Sequence, residues 1–166
     1  RHWLHGAAPP CAIHLDWQTG ERYQRPSYYA LQMWTRHFGD VLVRNDVTCD
    51  TFDVPLTYGN VGPLSGIPYL AAHTSIAGDK LYLLVINRHL ADDIETNIHM
   101  DGFVPRPRAT VYTLNGPSAD STNETGDHQT VTIVTSDISD ASGDFTYAFP
   151  AHSVTTIELQ GMPKGH

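Results

Sequence analysis

The stretch Tyr69-Leu70-Ala71-Ala72-His73-Thr74-Ser75-Ile76-Ala77-Gly78-Asp79-Lys80-Leu81-Tyr82-Leu83-Leu84-Val85-Ile86-Asn87 decides the fold class. Two runs, Tyr69–Ile76 and Lys80–Asn87, flank Ala77-Gly78-Asp79, the signal of a hairpin turn. Toward the C-terminus, Ile94–Met100 alternates Ile94, Thr96, Ile98 and Met100 with Glu95, Asn97 and His99. Period two with one apolar face predicts a half-buried strand. Ala109–Leu114, Thr130–Thr135, Phe145–Phe149 and Ser153–Leu159 read as further strands. Asn115–Gln129 reads as a long polar loop and Asp137–Asp144 as an acidic one. Toward the N-terminus, Tyr58–Pro68 is rich in Gly and Pro and reads as loop, preceded by strands at Thr51–Val54 and Val41–Val43. Short strands separated by turn signals predict a mainly β protein, an antiparallel β-sandwich of jelly-roll type.

One α-helix precedes the strands, over 26–38. Pro26 suits its first turn, and Tyr28, Leu31, Met33, Trp34 and Phe38 fall near helical spacing. Gly39 is expected to stop it, and Arg36 and His37 complement its C-terminal dipole. Residues 1–25 are irregular, with a turn at Asp16-Trp17-Gln18-Thr19-Gly20, and Met162–His166 reads as a frayed tail.

The chain has 166 residues, enough for one domain with a real core but fewer than the roughly 250 of a complete (β/α)8 barrel. Lys+Arg number 10 against 18 Asp+Glu, a net charge of -8 with His neutral. That balance excludes binding of nucleic acid or of a membrane surface through clustered positive charge. No apolar run is long enough to cross a membrane as a helix. The first residue is Arg1 rather than Met, which is expected of a processed chain or a piece of a longer one.

Cys11 and Cys49 would close a loop of about 39 residues, worth about 4 kcal/mol as a disulfide in the chain-entropy model; two free buried thiols are the other reading. Asn123-Glu124-Thr125 is an acceptor sequence for a glycan in a secreted protein. Trp3, Trp17 and Tyr23 offer flat apolar faces suited to sugar rings, and Asp16 an acceptor for a sugar hydroxyl. Packing between helix and sheet is the competing role for these rings. His2, His5 and His14 match no zinc spacing, and Asp137, Asp140 and Asp144 lack the pattern of a calcium loop. No metal or cofactor is expected.

Four stretches occur together in an order that matters: Tyr28-Tyr29-Ala30-Leu31-Gln32-Met33-Trp34 with Gly39-Asp40; Leu81-Tyr82-Leu83-Leu84-Val85-Ile86-Asn87-Arg88; Val111-Tyr112-Thr113-Leu114 followed by Ser121-Thr122-Asn123-Glu124; and Phe149-Pro150-Ala151-His152-Ser153-Val154-Thr155-Thr156-Ile157-Glu158-Leu159. The set resembles the last barrel helix and the C-terminal β-domain of family 51 glycoside hydrolases, the α-L-arabinofuranosidases. The resemblance covers about residues 26–160. It implies three parts: 1–39 as the end of a (β/α)8 barrel, 40–161 as the C-terminal β-sandwich, and 162–166 as a tail.

Members of that family are retaining hydrolases with two catalytic Glu residues in the barrel, a pair about 5–5.5 Å apart. Glu21, Glu95, Glu124 and Glu158 match neither catalytic motif, so no catalytic residue carries over. The resemblance implies a C-terminal part or subunit that braces the barrel of an enzyme acting on plant-type or microbial polysaccharide. Its expected partners are a barrel-bearing catalytic chain or further copies of itself, and carbohydrate; its expected location is extracellular. The alternative is a stand-alone secreted β-sandwich module for carbohydrate binding or extracellular assembly.

Overall fold

The computed structural model describes residues 12–15, 18–57, 59–124, 126 and 128–162. A short hairpin, β1 (Ile13–Leu15) and β2 (Arg22–Gln24), leads into α1 (Pro26–Arg36). Next come β3 (Val41–Val43), β4 (Thr51–Val54), β5 (Leu64–Pro68), β6 (Leu70–Ala77) and β7 (Lys80–Asn87). The chain finishes with β8 (Ile94–His99), β9 (Pro105–Asn115), β10 (Thr132–Ile138), β11 (Asp144–Phe149) and β12 (Val154–Gly161). Six strands form the main sheet in the order β10-β9-β12-β7-β6-β3, while β11 pairs β8 and β4 pairs β5. All of these pairings are antiparallel.

The hairpin that opened the sequence reading forms with Ala77 opposite Lys80, leaving Gly78-Asp79 as a two-residue turn. Gly78 has φ 61°, the conformation that a II′ turn requires at its first central position. One face of the main sheet packs against β8 and β11. Leu70, Leu81, Val85, Ala109, Val111, Ile157 and Leu159 are buried there with Phe149, and Ile94, Ile98, Phe145 and Tyr147 pack onto them. This is the sandwich core that the alternating strands predict.

The opposite face carries α1. Met33 is wholly buried against Leu114 and Val131, with Tyr29, Ala30, Tyr112, Ile133 and Val154 around them. The helix ends at Arg36, two residues before the predicted end. His37 leaves helical geometry at φ -125°, ψ 46°. Gly39 also serves a different purpose from the expected left-handed stop. A Cβ there would lie 2.5 Å from the Ile76 main-chain carbon, so the chain passes too close to β6 for any side chain.

Four further expectations are corrected. Residues 13–24, read as irregular, contain a hairpin that buries Tyr23. Tyr58–Pro68 is not all loop: Leu64–Pro68 pairs with β4 around a register shift, and Gly66 N–H donates to Asp53 Oδ1 at 2.8 Å. A ladder needs only backbone partners, and Gly and Pro are tolerated at bulges and edges. β10 starts at Thr132 rather than Thr130, because both main-chain groups of Val131 are bonded to Asn123. Asp137 therefore falls inside β10 rather than in an acidic loop.

Candidate functional site

Three side-chain groupings stand out. The first joins β2 to the loop between β9 and β10. Asn123 is wholly buried: its Oδ1 accepts the Val131 N–H at 2.7 Å, and its Nδ2 donates to Val131 O at 2.8 Å and to Gln24 O at 2.9 Å. A sequon asparagine must present that nitrogen to solvent to carry a glycan. In the folded domain the Asn123 nitrogen donates to two carbonyls. Tyr23 lies in a three-ring stack, with His14 at 4.7 Å and His128 at 4.4 Å between centroids. It is 7 % exposed. An imidazole is stacked on each side of its ring. Trp3, Asp16 and Trp17 lie outside the described residues. Around the stack, His128 Nε2 meets Glu21 Oε1 at 2.8 Å and Arg25 pairs with Glu124 at 3.0 Å.

The second grouping sits on the helix-covered face of the main sheet. Lys80 Nζ is 2.5 Å from Glu158 Oε1, and this bond raises the Lys80 pKa. Burial, reinforced by the Glu158 charge, raises the pKa of both Tyr82 and Tyr112. His37 stacks on Tyr112 at 3.6 Å, and burial lowers its pKa below 6.5. Glu95, by contrast, is exposed on β8 opposite Ala148. Three of the four glutamates thus pair with basic side chains, Glu21 with His128, Glu124 with Arg25 and Glu158 with Lys80.

The third grouping is apolar. Leu31, Trp34 and Phe38 recur at helical spacing along α1 and its end, and Trp34 contacts Phe38 at 4.7 Å and His73 of β6 at 5.5 Å. Beside them Leu42 of β3 lies opposite Ser75, on the same face of the sheet. Leu31 is 59 % exposed and Leu42 67 %. Sequence reading identified the aromatic helix but not Leu42, whose face depends on strand register.

Cys49 Sγ accepts the Leu70 N–H at 3.4 Å, and Cys11 lies outside the described residues. Asn87 is buried and donates to Asp92 O and Phe149 O, holding the β7–β8 loop.

Among solved structures, the chain is similar to the thermostable GH51 α-L-arabinofuranosidase of Thermotoga petrophila RKU-1, with 28% identity and a TM-score of 0.80 over 90% of this chain. It is likewise similar to the α-L-arabinofuranosidase of Thermotoga maritima solved as an arabinose complex, with 30% identity and a TM-score of 0.78 over 90% of this chain. The chain spans 31% of the length of each. No curated protein matches it. A family model described as the α-L-arabinofuranosidase C-terminal domain matches residues 10–153. Sandwich, helix and family model agree, and the chain belongs to the α-L-arabinofuranosidase C-terminal domain family.

Proposed function

We propose that this domain braces the catalytic barrel of a retaining, arabinofuranoside-cleaving hydrolase and carries none of the cleaving carboxylates itself. One observation carries the reading: Leu31 and Trp34 of α1 and Leu42 of β3 are left exposed, while Met33 on the helix's sheet-facing side is wholly buried. Apolar patches of this kind mark interaction surfaces. In the similar Thermotoga structures the matched part is under a third of a larger α-L-arabinofuranosidase chain, which supplies a body of the right kind to cover it. Residues 1–39, with α1, form the junction to that barrel. The substrate class is arabinose-bearing polysaccharide, and the site of action is extracellular, in keeping with the acidic balance.

The test is a chimera in which this chain replaces the matched third of the Thermotoga maritima enzyme. The chimera should release arabinose from an aryl arabinofuranoside, while the isolated chain should release none. Leu31→Asp with Leu42→Asp should detach the domain and lower the thermal midpoint of the barrel. Activity in the isolated chain, or a chimera indifferent to the double substitution, would sink the reading.

A further inference from the structure

The tie between the β1–β2 hairpin and the loop preceding β10 passes through His128, and its chemistry counts protons. His128 Nδ1 lies 2.7 Å from the Asn123 main-chain oxygen, and Nε2 lies 2.8 Å from Glu21 Oε1. A carbonyl oxygen only accepts, so Nδ1 must carry hydrogen. An ionised carboxylate also only accepts, so Nε2 must carry hydrogen too, unless the carboxyl itself holds it. A neutral imidazole has a single N–H. Making both bonds therefore requires one proton more than neutral histidine and ionised glutamate possess together.

We propose that Glu21 and His128 form an acid-engaged latch that fastens the β1–β2 hairpin to the β9–β10 loop and loosens it as the pH rises. This goes beyond the bracing role and does not depend on it. The charged and titratable groups around the imidazole include Glu21 before β2, Tyr23 on β2 and the Arg25–Glu124 pair. His14 lies on the far side of Tyr23. Arg25 and Glu124 are paired with each other, so their fields on His128 largely cancel. Tyr23 lies nearly parallel to the imidazole, at 4.4 Å and 6°, and its π face favours a cation there. A protonated His14 would oppose that preference.

The sign follows from linkage. The bonded arrangement holds the extra proton, so the attachment is fastened on the acid side of neutrality and loosens as the pH rises and that proton is lost. His128 is 27 % and Glu21 55 % exposed at their side chains, so the change is modest and local.

Hydrogen exchange on the full chain tests this. Protection of the amides in Ile13–Leu15 and Arg22–Gln24, corrected for intrinsic rate and referred to the amides of β7 and β12, should fall about threefold between about pH 5.5 and about pH 8. Glu21→Gln should abolish that pH dependence, because an amide can accept from Nε2–H or donate to a bare Nε2. His128→Phe keeps a ring against Tyr23 but makes neither bond, and should give weak hairpin protection at both pH values. Nitrogen-15 spectra of the wild-type imidazole give a readout that needs no variant. Two N–H groups on His128 near pH 5.5 and one near pH 8 are expected. A single N–H at pH 5.5, protection that ignores pH, or a pH dependence surviving in Glu21→Gln would overturn the proposal.

Discussion

Ile157 and Glu158 are consecutive in β12 and face opposite sides of the same sheet. Ile157 is wholly buried among Val85, Val111 and Leu159, under β8 and β11. Glu158 reaches Lys80 beside Tyr82 and Tyr112, on the side that α1 covers. One side is a dry aliphatic and aromatic layer that owes its stability to burial. The other mixes a helix, stacked rings and an ion pair open in part to water. The comparison teaches that one sheet can hold a general-purpose core on one face and a specific docking site on the other. The inner face asks only for apolar volume, whereas the outer face asks for particular partners.

Substitutions can break that contrast. Phe149→Ala on the inner side should cost the most, about 3–5 kcal/mol in denaturant unfolding, because the ring is 1 % exposed and its loss leaves a cavity. Met33→Ala on the helix side should cost about 2–3 kcal/mol, since a single short helix settles into the gap more readily than a strand ladder does. If the two losses came out equal, α1 would be as integral to the domain as the sandwich layer. Lys80→Ala should cost under about 1 kcal/mol, because the Lys80 side chain is 42 % exposed and the pair is screened. A larger loss would mean that Glu158 is left buried without compensation.

The smallest effect concerns pH. Burial lowers the pKa of His37, so its neutral form stabilises the fold fully above 6.5, and that contribution fades as the pH falls below it. His37→Phe keeps a ring on Tyr112 and should flatten the pH dependence of stability on the acid side of 6.5. An unchanged slope in that variant would remove His37 as the source. The expected sign is opposite to that of the Glu21–His128 latch, so the two are separable in one pH series.

The inner layer was legible because its signal is local. Ile94, Thr96 and Ile98 alternate with Glu95, Asn97 and His99, and that alternation is the strand. The β6–β7 turn announced itself through Gly78. The outer layer was not legible, because its contacts join distant parts of the chain. Glu21 and His128 are 107 positions apart, and nothing at either position marks the other. Asn123 shows the same limit: the sequon is a three-residue pattern, while its burial depends on Gln24, 99 positions away. Tyr23 is flat and amphipathic whether it meets a sugar or two imidazoles, so the residue type alone left both roles open. The family emerged from the order of four stretches. The exposed apolar residues of the helix side emerged as a group only once the register of β3 placed Leu42 on that face of the sheet.

The position of β12 has a consequence for how the domain comes to exist. Val154–Gly161 is the last strand among the described residues, yet it lies between β7 and β9 near the middle of the main sheet. Until β12 has emerged from the ribosome, β7 and β9 each present an unpaired edge, and the sheet exists as two separate halves. Completion of the sheet therefore waits for β12 to emerge, and contacts between strands so far apart in sequence form slowly. During that interval the exposed edges invite pairing with other chains. A chain cut before Val154 would yield not a slightly shortened domain but two half-sheets with no strand to join them.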